Sequence, residues 1–232
     1  MPFFYPLTTI ILIIFASDKF MPFKKKYSTI ILSTAYFPPV EYFFFLNHSK
    51  NVLIDSFENY QKQTYRNRCI IYGSNGPLSL VIPVIKTNKP KTIFKDILIS
   101  YDEDWQKVHW RSISAAYNSS PFFLYYQDDI LKILEKKHRF LIDLNNELLM
   151  KLLDLTNIDT SISQASSYIK DPEELDLRNT ISPKNKIQEI LNYPSYIQVF
   201  DDKHGFISNL SILDLLFNEV PNTLEYLKKI CH

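Results

Sequence analysis

Two guanidiniums two residues apart, Arg66 and Arg68, stand either side of Asn67 in the run Tyr65-Arg66-Asn67-Arg68-Cys69. A guanidinium offers a planar fork of N–H donors that fits a carboxylate or a phosphate, and a lysine ammonium has no such fork. The apolar Ile70-Ile71 that follows predicts a strand from Arg66 to Tyr72. Side chains alternate along a strand, so Arg66 and Arg68 would share a face about 7 Å apart, with Asn67 opposite. The pair could clamp a diphosphate or a carboxylate. The competing use is to pair with internal acids and close a sheet edge.

A base for proton transfer would come from His109, because histidine titrates nearest neutrality. His109 also falls on an apolar helical stripe four residues after Trp105, where a satisfied core histidine is the alternative. Tyr36-Phe37-Pro38-Pro39 follows the first apolar run, at the position where open α/β sheets bind ligands, and free amides at the start of the next helix would favour an anion there. The same four residues would also serve as a rigid core plug. Tyr117, at the head of a Tyr/Phe cluster closed by Pro121, could stack on a sugar; His204 offers a second histidine, on the turn Asp201 to Phe206. Asp102-Glu103-Asp104 has the Asp-X-Asp spacing with which glycosyltransferases hold a divalent ion, and capping of the helix that starts at Trp105 is the preferred reading. No metal is expected, and the sequence names no cofactor.

Composition excludes more than it includes. The chain has 232 residues, net charge +1 and only three glycines, Gly73, Gly76 and Gly205. Near-neutral charge argues against a nucleic-acid partner. So few glycines rule out the dinucleotide fingerprint, the P-loop and the nucleophile elbow. Cys69 and Cys231 are too few for a zinc knuckle or a disulfide framework, which fits a cytoplasmic setting. No two of the five histidines are four residues apart, so no helical metalloprotease site exists. Residues 1 to 17 are uncharged, yet their apolar run is shorter than the roughly 20 residues of a bilayer span, and no basic stretch precedes it. Met1-Pro2-Phe3 recurs as Met21-Pro22-Phe23, so residues 1–20 are expected to be an over-extended start, with a weak hydrophobic membrane or signal anchor as the alternative, and 21–232 a single domain, with no stable membrane span.

The elements that must position these residues follow from periodicity. Tyr27 to Ser33 reads as a buried strand, Val40 to His48 as a helix after the prolines, and Asn51 to Ile54 as a second strand. Gly73 to Pro77 predicts a hairpin between Arg66–Tyr72 and Leu78–Ile85. Ile93 to Ile99 would add a strand and Asp104 to Tyr117 a helix. From Asp128 to Leu155 the leucines at three and four predict two packed helices or one bent helix. Residues 160 to 194 read as a long connection that wraps the surface or acts as a lid. Tyr196 to Phe200 would be a strand, with short helices over Ser211 to Phe217 and Asn222 to Ile230, capped by Ser211 and Asn222. The fold class is α/β: a mixed sheet with an N-terminal strand-loop-helix unit, a β-hairpin and a helical C-terminal half.

Taken together, Tyr36-Phe37-Pro38, Lys62 to Arg68, Leu80 to Val84, Trp105 with His109 through Tyr117, Pro121-Phe122-Phe123 and His204-Gly205-Phe206 resemble the WbqC-like protein family, in its Bacteroidetes-type branch. The resemblance implies a role in bacterial surface-polysaccharide (O-antigen-type) precursor biosynthesis, with transfer of an aminoacyl (glycyl) group to an amino sugar as a suggested reaction. It implies a sugar or sugar-nucleotide ligand, for which Tyr36, Arg66, Asn67, Arg68, Tyr117 and His204 are the candidate contacts and His109 the candidate base. A non-catalytic sugar-nucleotide-binding or scaffold role in the same pathway is the alternative. Family members often carry Gln-Pro-Asn where this chain has Ser33-Thr34-Ala35, and Gly where it has Glu41, so contacts made by that Gln or Asn do not transfer.

Overall fold

The computed structural model describes residues 27–85, 91–184 and 191–230, so the expected over-extended start lies outside the described residues. Four strands form a parallel sheet: β1 (Tyr27–Leu32), β2 (Ser49–Ile54), β5 (Ser161–Gln164) and β6 (Leu175–Asp176), in the order β5-β2-β1-β6. Ile30, Ile31 and Leu32 are fully buried, as expected of a strand flanked on both edges. Helix α1 (Val40–Asn47) carries the chain from β1 back to β2, and β6 returns on the far side of β1. Connections therefore diverge at the carboxyl ends of β1 and β6, which is the switch point where α/β sheets open a crevice.

A separate antiparallel hairpin joins β3 (Arg68–Gly73) to β4 (Gly76–Val81), with Gly73 opposite Gly76 and Ser74-Asn75 at the tip. The positive φ the turn needs falls on Gly76, at +96°, where a Cβ would be strained. Helix α2 (Trp105–Tyr117) packs on β3; α3 (Phe123–Leu134) and α4 (Leu141–Thr156) pack on each other. The leucine repeat is thus two helices. The short α5 (Asp201–His204) precedes α6 (Ile212–Glu219) and α7 (Thr223–Lys229), both of which pack on α1.

α1 is buried on every side from Val40 to Leu46, with Glu41 its one charged side chain, and it packs within the core. Ser211 caps α6 by accepting from Leu213 N at 3.3 Å, as expected, whereas Asn222 precedes α7 without a side-chain cap. Three expected strands change. Ile93 to Ile99 contains a 3-10 turn at Phe94–Asp96 between isolated bridges at Ile93, Leu98 and Ile99, because the backbone there ties to three different segments. Tyr196 to Phe200 is irregular, since Gln198 spends its side chain on the Ile207 backbone and Asp214 instead of joining a ladder. β3 starts at Arg68, so Arg66 lies in the turn before it. Conversely the long connection contributes β5 and β6, whose lengths of four and two residues leave too little alternation to read.

Candidate functional site

At the switch point, Ser33, Thr34 and Ala35 from the end of β1, Tyr65 and Arg66 from the turn before β3, and Leu177, Arg178 and Ile181 after β6 enclose a cavity of about 10 Å³. That is room for about one water. Two guanidiniums, both at least 95% buried, form its polar side. Arg66 makes a two-point ion pair with Glu58, Nε to Oε1 at 2.7 Å and Nη2 to Oε2 at 2.5 Å, and its Nη2 also donates to Ser33 Oγ at 2.6 Å. Arg178 grips Asp176 through Nε (2.9 Å) and Nη2 (2.7 Å) and donates through Nη1 to Asp55. The Asp176 and Asp55 carboxylates hold the Arg178 guanidinium above its ordinary value despite its burial. The Arg178 carbonyl closes the ring by accepting from Ser33 Oγ at 3.1 Å.

The segment after β5 covers this site. Ala165 N donates to Ile54 O (2.9 Å), Ile169 N reaches Asp55 Oδ2 (3.5 Å) and Leu177 N donates to Ile31 O (2.9 Å), so residues 165–177 cross the carboxyl ends of β2 and then β1. Tyr168 lies over the Arg178 guanidinium, 5.3 Å from ring centroid to Cζ.

His109 and Tyr36 meet in the core beside this cavity and not in its wall. The Tyr36 hydroxyl lies 2.9 Å from His109 Nδ1, and the Trp105 ring stands edge-on to the imidazole at 5.1 Å. Burial pushes His109 down to about 4, with the Val81 backbone opposing. The ring is then neutral at pH 7, and with one N–H committed to a backbone carbonyl it takes the Tyr36 proton donor on Nδ1. Burial, and then Cys69 on β3, raise the Tyr36 phenol well above its usual value. Phe37 follows at φ 39°, a left-handed conformation that is a genuine outlier for a bulky residue. The amides at the start of α1 are already taken: Val40 N donates to Leu210 O (3.0 Å) and Glu41 N to Asn209 Oδ1 (2.8 Å). They are not open to an anion.

The other expected contacts separate. Asn67 staples the strand edge through Nδ2 to Ile82 O at 2.9 Å. Arg68, at the first position of β3, has a buried Nε without a partner. Tyr117 is fully buried and its hydroxyl accepts from Tyr72 N at 3.2 Å. His204 sits on α5 with Nε2 donating to Ser74 O, 3.1 Å away at the hairpin tip. Asp104 occupies the N-cap position of α2, but its carboxylate pairs with Lys107 at 2.8 Å instead of capping. Among the described residues no group of three His, Cys, Asp or Glu side chains is placed to hold a metal ion.

Sequence reasoning missed Glu58, Asp55, Asp176 and Arg178. Each is an isolated charge in its own segment, and only the crossing of 165–177 brings them together. It also passed over Glu41, whose side chain is 2% exposed with Oε2 unpartnered, and which burial pushes up to about 8 against a hydrogen bond from Asn209.

No helix among the described residues is long and apolar enough to cross a membrane. No solved structure matches this chain. An uncharacterized protein of Mycobacterium tuberculosis, Rv1507c, is 26% identical over 227 residues, covering 86% of this chain and 98% of that protein. The sequence model of the WbqC-like protein family matches residues 34–194, which include the loop after β1, the arginine run, α2 and the crossing segment, and the chain belongs to that family.

Proposed function

We propose that this protein is a cytoplasmic transferase of surface-polysaccharide precursor assembly, and that it binds a sugar or sugar nucleotide at the carboxyl ends of β1 and β6. The observation that carries the reading is the cavity at the switch point, with Arg66 and Arg178 buried in its wall. Membership of the WbqC-like family supports the pathway. A cavity of about 10 Å³ admits no sugar, so the wall made by Leu177, Arg178 and Ile181 moves aside when ligand enters. If the reaction is aminoacyl transfer, the acceptor amine bonds to the acyl carbon and the donor's leaving group departs with the bonding pair. The amine proton then passes to a base, the role the sequence gives His109.

One observation favours the alternative, a sugar-nucleotide-binding component without turnover. His109 is 3% exposed, hydrogen-bonded to Tyr36, and with a pKa of about 4 it is a weak base at neutral pH. A thermal-shift series against nucleoside-diphosphate sugars tests both readings, with a rise of several degrees for one of them expected. No shift with any sugar nucleotide overturns both. Turnover of a stabilising ligand with an aminoacyl donor separates the enzyme from the binder.

A further inference from the structure

At the amino ends of the parallel sheet, away from the cavity described above, α4 ends and the chain turns into β5 beside an open groove of about 430 Å³. Leu153 and Ile158, each 6% exposed, and the exposed Met150 form its apolar side, with Asp154 and Asp159 at its edge. The charge of the groove is unbalanced. Asp154 stands in the last turn of α4, at the negative end of the helix dipole, and that turn holds no basic residue. Lys151 divides itself between Asp154 at 3.3 Å and Asp129 at 3.7 Å. Asp159 makes no ion pair or hydrogen bond with a described residue, and Lys50, next to Thr160 on the neighbouring β2, reaches neither carboxylate of the groove.

The register of the sheet fixes how far this groove lies from the place where the chain enters β1. Tyr27 pairs with Ser49 and Asn51 with Ser161, both in parallel ladders, which sets Asp159 level with Ser49 and Tyr27. Thr160 Oγ1 donates to Ser49 O at 3.2 Å, as that level requires. Tyr27 and Asp159 are therefore two strand spacings apart, about 10 Å. The residues that run into Tyr27 are Met21-Pro22-Phe23-Lys24-Lys25-Lys26, and they belong to the chain whether it starts at Met1 or at Met21. Three extended residues span about 10 Å, so the backbone alone covers the distance before any lysine side chain is added.

We propose that Met21–Lys26 docks in this groove as a strap across the amino ends of β1, β2 and β5, with its lysines on Asp154 and Asp159 and Phe23 against Met150. Three consecutive cations meet a groove with two carboxylates, and the one aromatic of the segment meets its apolar side. The occupant is the chain's own segment and not that of a second copy, because a short tether holds it beside the groove at an effective concentration of the order of millimolar. β5 is a four-residue edge strand that leads straight into residues 165–177 over the switch-point cavity. The strap thus fastens the root of the segment that covers the cavity.

Zero-length carbodiimide cross-linking of the full chain, read by mass spectrometry on the monomer fraction, tests the strap directly. Links from Lys24, Lys25 or Lys26 to Asp154 or Asp159 are expected. No such link, or links only between two chains, overturns the proposal. Tryptic cleavage at the three lysines under native conditions gives a second measurement, on wild type, on Asp154→Asn/Asp159→Asn and on Asp143→Asn, a control at the opposite end of α4. Cleavage should quicken about three- to tenfold in the double variant, the range that two exposed ion pairs supply, and stay unchanged in the control. Added salt should quicken the wild type in the same way and leave the double variant unmoved. A smaller change in the double variant, or an equal one in the control, overturns the strap. Should the double variant not fold, the cross-links and the salt dependence of the wild type decide.

Discussion

Arg66 and Glu58 face each other through two parallel N–H···O contacts of 2.7 and 2.5 Å, with both side chains no more than 5% exposed. A buried, bidentate pair of this kind holds two chain segments in register, here the turn before β3 and the stretch after β2. Removing one member leaves the other charged, desolvated and alone, which costs about 3–5 kcal/mol. Arg66→Met should therefore destabilise the protein by about that much in urea unfolding. The double variant Arg66→Met/Glu58→Leu should recover most of the loss, because it leaves no orphaned charge. A double variant no more stable than the single one would show that Arg66 acts through Ser33 and not through Glu58.

Glu41 gives stability a pH dependence of unusual sign. Burial pushes its carboxyl from 4.5 up to about 8, so between those values the folded state keeps a proton that the unfolded chain has lost. Unfolding free energy then falls as pH rises, with a limiting slope of about 1.4 kcal/mol per pH unit. Asp214, raised by burial to about 6, adds the same sign below pH 6. His109, lowered to about 4, has the opposite sign between about 4 and 6.5, since there the unfolded state binds the extra proton. The clean window is pH 6.5 to 8. Across it Glu41→Gln should gain stability relative to wild type as pH rises, and the gain should level off above pH 8; parallel curves would mean that Glu41 is ionised throughout.

Asn209 combines two roles that separate on substitution. Its φ is 55°, a left-handed backbone that costs an ordinary residue roughly 1–2 kcal/mol, and its Oδ1 accepts from Glu41 N at the start of α1. Asn209→Gly keeps the backbone and loses the cap, worth about 1 kcal/mol, together with the hydrogen bond to the Glu41 carboxyl. Asn209→Ala loses both. Chemical denaturation should rank wild type above Asn209→Gly and Asn209→Gly above Asn209→Ala by a further 1 kcal/mol or so; equal losses would remove the backbone argument.

What was legible in the sequence was what depends on neighbours in the chain. β1, α1 and the hairpin come from local periodicity and turn chemistry, and the leucine spacing at three and four gives α3 and α4. Arg66 and Arg68 looked equivalent because a strand beginning at Arg66 would put them on one face. Their separation depends on where the ladder starts, and that is set by Asn67, whose backbone and side chain both bond to Ile82. The pairing of Arg66 with Glu58, eight residues upstream, is the alternative that charge spacing left open. Arg178 carries no local signal at all: its place depends on residues 165–177 crossing two strand ends, a long-range connection with little periodicity to read. His109 was found on its helical stripe, and the same stripe is why it is buried.

Asp55 ties the crossing segment to the sheet. It sits fully buried after β2, with Oδ1 accepting from Phe57 N and Oδ2 from Arg178 Nη1 and Ile169 N. Replacing it by Asn keeps the volume and the acceptor toward Phe57, but removes the charge that holds Arg178 and weakens the contact to Ile169. Other ties of the segment remain in the variant: Ala165 N to Ile54 O, the short ladder to β1 with Leu177 N on Ile31 O, and the donors Ser33 Oγ and Arg66 Nη2 on the Arg178 carbonyl. Opening of residues 165–181 should therefore become easier in Asp55→Asn, while β1 and β2 stay closed. Hydrogen exchange should quicken at least tenfold at Ile169 and Leu177, an effect of about 1.4 kcal/mol on local opening, and stay unchanged at Ile30 and Val52. Ligand entry past Leu177 and Arg178 predicts that the same variant binds a stabilising sugar nucleotide with a faster on-rate in stopped flow. Faster exchange at all four amides would instead mean that Asp55 supports the whole sheet.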